Sequence, residues 1–150
     1  MQKIIITSLY LLILAVIHAK LELQIEGKRM GWAFNLPCWK KENKFIDWLL
    51  GKKPLTGYHV WLLIMFLFLF HSIYLFIPLS LKNETILMGL FFWYWIVEDF
   101  LWFVENPYYQ LRNFKRGRIY WHKRWIGKRI PVSYLISAII GTTLLLLGRK

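Results

Sequence analysis

A chain of 150 residues that is 57% hydrophobic and 19% aromatic, with a mean hydropathy of +0.40, carries more apolar surface than a soluble domain of its size buries. Its formal charge of +12, from 20 Lys and Arg against 8 Asp and Glu, flanks long apolar blocks, which points to anionic phospholipid headgroups and away from nucleic acid. One cysteine, Cys38, supplies neither an intrachain disulfide nor a thiolate metal cage.

The first apolar block, Ile4–Ala19, has no formal charge and is short for a span, which needs ~20 residues. The helix continues through Lys20, whose ammonium snorkels to the headgroups, and the span is set at 3–24. The block has the outline of a signal peptide, but Ile17 stands where cleavage wants a small residue, so an uncleaved helix is expected. Within the loop that follows, Asn43–Leu50 fits a short amphipathic helix in the headgroup plane.

The second block, Pro54–Leu81, contains no Asp, Glu, Lys or Arg and predicts a span over 57–79. The third, Thr85–Val104, is interrupted only by Glu98 and Asp99; Asn106-Pro107 stops it, for a span over 85–105. Residues 107–130 mix arginines with Tyr108, Tyr109, Phe114, Tyr120, Trp121 and Trp125, rings expected in the headgroup layer. The fourth block, Ile130–Gly148, has Pro131 near its start and predicts a span over 130–148.

The expected fold is therefore an all-α integral membrane protein: one domain over 1–150, four transmembrane helices, and interfacial amphipathic and aromatic loops. Loops 20–56 and 105–130 hold eight basic residues each, sixteen together, against Lys3, Lys82, Arg149 and Lys150 elsewhere. The positive-inside rule puts both loops in the cytoplasm and both termini outside it, in the cell membrane.

This topology gathers ionisable groups at one membrane face. Glu22, Glu26, Glu42, Asp47, Glu98, Asp99 and Glu105 belong to the cytoplasmic half, with His18, His59 and His122. His18, Glu22 and Arg29 share a face of the first helix, Glu26 borders it, and Ile25 interrupts it. On the third, Trp95, Glu98, Trp102 and Glu105 share a face with Asp99 beside it. Glu98 sits ~9 Å from the helix end, where an insertion scale sets the cost of an acid at ~2.5–3.5 kcal/mol. Such acids face protein, pair with Arg or Lys from the basic loops, or bind something. Histidine and carboxylate together are ligands for a divalent metal ion. The expected metal site combines His18, Glu22, Glu98, Asp99 and His122, with Glu98 and Asp99 as central, catalytic carboxylates. His71 is expected to bond to a neighbouring helix.

HExxH, a paired ExxH, a P-loop, a GxSxG elbow and a dinucleotide fingerprint are all absent from the sequence. Three functions compete. One is a metal-dependent enzyme or binding protein acting on a lipid or isoprenoid, with basic loops that hold an anionic headgroup. Another is a non-catalytic subunit of a larger membrane complex. The third is a homo-oligomeric channel or transporter, which the sparse polar groups of the outer half disfavour.

Overall fold

The structure, a computed structural model, describes residues 2–27, 31–42 and 54–149. Arg29, Asp47 and the expected amphipathic helix Asn43–Leu50 lie outside the described residues.

The described residues form the helices α1 (Gln2–Glu26), α2 (Gly57–His71) with a 3-10 turn (Ser72–Leu75), α3 (Leu81–Glu105), short α4 (Gln110–Asn113) and α5 (Val132–Leu147). Ile5–Glu26, Gly57–Leu75 and Leu81–Glu105 are long and apolar enough to cross a membrane. The apolar α5 is shorter, at 16 residues or ~24 Å.

Local chemistry explains the boundaries. Gly27 ends α1 at φ +81°, a conformation that spares glycine the Cβ clash. Helical structure after α2 stops at Leu75 rather than 79, because Pro78 pushes Ile77 out of the α region. Helix α3 begins four residues before the expected 85, because the Ser80 hydroxyl accepts from the Asn83 amide at 3.1 Å and caps it.

Helix α3 is central and packs against both α1 and α5. Small residues permit both approaches. Ala15 and Ala19 of α1 are fully buried, and Gly89 of α3 meets the backbone of Gly141 in α5. One aromatic cluster joins α1, α2 and α3 through Ala15, Leu62, Phe66, Phe70, Phe91 and Tyr94. A second, built on Leu23, Trp102, Phe103, Tyr109, Phe114 and Trp121, ties the 107–130 loop to the ends of α1 and α3.

Part of the aromatic set of the 107–130 loop packs inside the protein. Tyr109, Phe114 and Trp121 are buried in protein, whereas Tyr108 and Tyr120 are exposed. Two small antiparallel ladders shape the connections: Lys40–Lys41 on Leu55–Thr56, and Trp125–Ile126 on Ile130–Pro131.

Candidate metal centre

Helix α1 is inside-out by the standards of a soluble helix. Ile17, Leu21 and Ile25 are exposed, while His18, Glu22 and Glu26 are buried. Its buried stripe runs Ala15, His18, Ala19, Glu22, Leu23, Glu26. Glu26 is thus a full member of the stripe, and Ile25 turns outward at its rim.

His18 packs against the first aromatic cluster. Its ring stacks on Phe66 at 4.3 Å and meets the edge of Trp95 at 5.5 Å. Nδ1 is 3.0 Å from the Tyr94 hydroxyl and 3.7 Å from Glu98 Oε1, and Nε2 is 3.9 Å from Glu22 Oε1. The Tyr58 hydroxyl donates to Glu22 Oε1 at 3.2 Å. One donor atom each from His18, Glu22 and Glu98 lie within 4.8 Å of one another, and all three residues are buried. Among the described residues the imidazole Nε2 of His18 has no hydrogen-bond partner. A nitrogen and two carboxylates gathered in this way are a donor set for a first-row divalent ion.

Asp99 and His122 form a distinct group on the α5 side. His122 Nε2 is 3.3 Å from Asp99 Oδ2, and the Tyr134 hydroxyl of α5 donates to the same oxygen. The Trp125 indole donates to the His122 carbonyl. Adjacent positions on a helix point ~100° apart, so Glu98 faces α1 while Asp99 reaches toward α5. The five expected ligands therefore divide into His18–Glu22–Glu98 and Asp99–His122.

A third group lies below. His59 Nε2 is 3.8 Å from Glu26 Oε1, and its Nδ1 shares a 2.6 Å hydrogen bond with the Thr56 hydroxyl. Trp32 stacks on His59 at 3.9 Å and donates to the Pro54 carbonyl at 2.8 Å. Trp32 and Ala33 hold φ of +59° and +50°, a strained turn that aims the Ala33 amide at the Glu26 carboxylate. Tyr120 donates to the Gly31 carbonyl at 2.6 Å. Partial desolvation of its hydroxyl end, with Tyr109 and Glu26 nearby, pushes the hydroxyl above the ordinary tyrosine range, so it stays a donor.

A cavity of about 20 Å³ joins the groups, lined by Glu22, Glu26, His59, Asp99, Trp32 and Trp102, among others. Glu105, expected on the acidic face, instead pairs with Lys20 at the surface, at 2.6 Å. His71 bonds to the Leu67 carbonyl at 2.7 Å and to Glu84 of α3 at 3.1 Å, at the opposite end of the bundle, where Tyr74 also donates to Glu84.

Sequence reasoning missed the phenols Tyr58, Tyr94 and Tyr134. Only Tyr94 left a signal, one helical turn before Glu98. Comparison with family models, curated proteins and solved structures finds no match to this chain.

Proposed function

We propose that this protein is a four-span membrane protein that holds a divalent metal ion between His18, Glu22 and Glu98 and acts with it on a lipid or isoprenoid. The observation that carries the reading is the convergence of those three buried donors within 4.8 Å, from two helices. The unpartnered Nε2 of His18 supports it, since a buried polar atom without a bond is costly and a ligand removes that cost.

The lipid half of the reading rests on placement. The donors lie toward the helix ends, next to loops rich in lysine and arginine that attract anionic headgroups. A surface groove where α1 meets the end of α3 is lined by Ile17, Leu21, Leu23 and Pro107 together with Lys20, Gln24 and Glu105. A lipid tail and a headgroup ester match that polarity. The sixteen-to-four basic split supports cytoplasmic loops and external termini. Asp99 is assigned as a carboxylate beside the ion rather than on it.

Elemental analysis of the detergent-purified protein, paired with mass spectrometry of co-purified lipid, tests the proposal. The expected result is one divalent ion per chain, lost in His18→Ala, and a retained lipid. A wild-type protein that binds no divalent ion overturns it.

A further inference from the structure

The segment 107–130 contains no Asp or Glu, and all eight of its lysines and arginines are exposed. None of them pairs with an acid among the described residues. Two tight turns fix where most of them stand. In Lys115-Arg116-Gly117-Arg118 the Arg118 amide donates to the Lys115 carbonyl at 3.1 Å, and Gly117 takes φ +83°. Gly127-Lys128-Arg129 closes the hairpin of Trp125–Ile126 on Ile130–Pro131, with Gly127 at φ +58°. The Arg116 amide donates to the Lys128 carbonyl at 2.9 Å and fastens one turn to the other. Five bases thus stand on two joined turns with no acid between them, a surface that calls for an anionic partner.

The hairpin carries an apolar pair beside those bases. Ile126 and Ile130 are register partners across the ladder, 45% and 51% exposed. Two neighbouring aliphatic side chains gain nothing from water or from phosphate. An acyl boundary accepts them, and cations beside them then meet headgroups. Chain length agrees with that depth. Helix α5 follows at Val132, and its 16 residues cover ~24 Å of a hydrocarbon core of ~30 Å. The strand Ile130–Pro131 adds ~6–7 Å at ~3.3 Å per residue. Ile130 then lies at the edge of the core, with Lys128 and Arg129 in the headgroup layer.

Building on the four-span reading, and independently of the ion, we infer that the 125–131 hairpin and the Lys115–Arg118 turn form a docking surface for anionic phospholipid, with Ile126 and Ile130 at the acyl boundary and the bases of both turns on headgroup phosphates. The interfacial role then belongs to these turns, while Tyr109, Phe114 and Trp121 stay inside the protein.

Depth is read in the full-length Cys38→Ala protein, in nanodiscs of mixed phosphatidylglycerol and phosphatidylcholine. Nitroxide labels are placed through Ile126→Cys, Ile130→Cys or Ile139→Cys, and their relaxation by oxygen is compared with that by an aqueous nickel chelate. Positions 126 and 130 should report the acyl boundary, and 139, an exposed residue of α5, a deeper site. Labels at 126 and 130 that meet only water while 139 is deep overturn the inference and leave the four spans standing. Water at all three positions strikes the four-span reading, and the inference with it. Headgroup selectivity is read in the wild type from the retention of spin-labelled phosphatidylglycerol against phosphatidylcholine. The anionic lipid should be preferred, and molar salt should weaken the preference. The combined variant Lys115→Gln, Arg116→Gln, Lys128→Gln and Arg129→Gln should lower it by roughly fivefold or more, the effect of one basic residue near the surface. Equal retention of the two lipids, a preference indifferent to salt, or a folded variant that keeps it overturns the inference. RNA that binds the wild type at physiological salt and displaces phosphatidylglycerol gives the surface to nucleic acid instead and also overturns it. The depth and salt measurements need no charge variant, so they decide even where the combined variant does not fold.

Discussion

His18 of α1 and Glu98 of α3 meet across the helix interface, Nδ1 to Oε1 at 3.7 Å, with each side chain almost wholly buried. Alanines at positions 15 and 19 flank His18 and let the two helices close around the pair. An acid and an imidazole so placed serve either as a mutual partner or as two arms of an ion site.

Chelation separates these roles. With metal in excess of its dissociation constant by a hundredfold, a bound ion stabilises the fold by ~2.7 kcal/mol. Chelator should therefore lower the thermal midpoint of the wild type and leave Glu98→Gln unchanged. Ligand carboxylates repel one another without the ion, so Glu98→Gln under chelation should be as stable as the chelated wild type or more so. A purely structural pair behaves oppositely: chelator has no effect, and Glu98→Gln loses ~3–5 kcal/mol.

The contact of α3 with α5 makes a prediction about the scaffold alone. A Cβ at Gly89 would lie 2.7 Å from Leu145 Cγ and 2.9 Å from the Gly141 carbonyl oxygen. A leucine side chain can turn away, but a helix carbonyl cannot. Gly89→Ala should destabilise by ~1–3 kcal/mol, read as an earlier unfolding midpoint in denaturing detergent, with metal content per folded chain unaltered. An unchanged midpoint shows that α5 does not pack this closely.

Much of this arrangement is legible from helical spacing. His18 and Glu22 share a face of one helix, and Glu98 with Trp102 a face of another, because 3.6 residues per turn fixes both. That His122 stands apart with Asp99, and His59 with Glu26, is not legible. His59 reaches Glu26 only because the left-handed turn at Trp32 and Ala33 folds the loop back over both. The loop aromatics mislead for a different reason. A tryptophan or tyrosine among arginines suits a headgroup layer and a protein core alike, and only tertiary contacts put Trp121 and Tyr109 inside.

Orientation has its own test. Single cysteines at Lys82 and Lys115, introduced into Cys38→Ala, should label from opposite sides of the membrane in intact cells. Lys82 stands in the first turn of α3, next to its connection with α2, and Lys115 in the basic 107–130 loop. The basic split predicts that an impermeant reagent reaches position 82 and spares position 115. Labelling at 115 alone inverts the topology, and labelling at both removes the four-span arrangement.

The division between His18 and His122 gives the most discriminating experiment. Both histidines are buried beside a carboxylate, and both belong to the ligand set expected from sequence. Their surroundings differ. His122 lies against Asp99, whose Oδ2 also accepts from Tyr134, so this group ties α5 and the loop to α3. His18 has a free Nε2 and two carboxylates within 3.9 Å of its ring nitrogens. His18→Ala should therefore abolish metal binding, while His122→Ala should keep one ion per folded chain. The cost of His122→Ala should appear in stability, at ~1–3 kcal/mol for a lost hydrogen bond to a charged partner. Tyr134→Phe should act in the same direction, because it removes another bond to the same oxygen. Titration of each detergent-solubilised variant with Mn(II), followed by the loss of the free-ion electron paramagnetic resonance signal, measures all three. Equal loss of binding in His18→Ala and His122→Ala would show that the five residues act as one site and that the two groups close together when the ion binds.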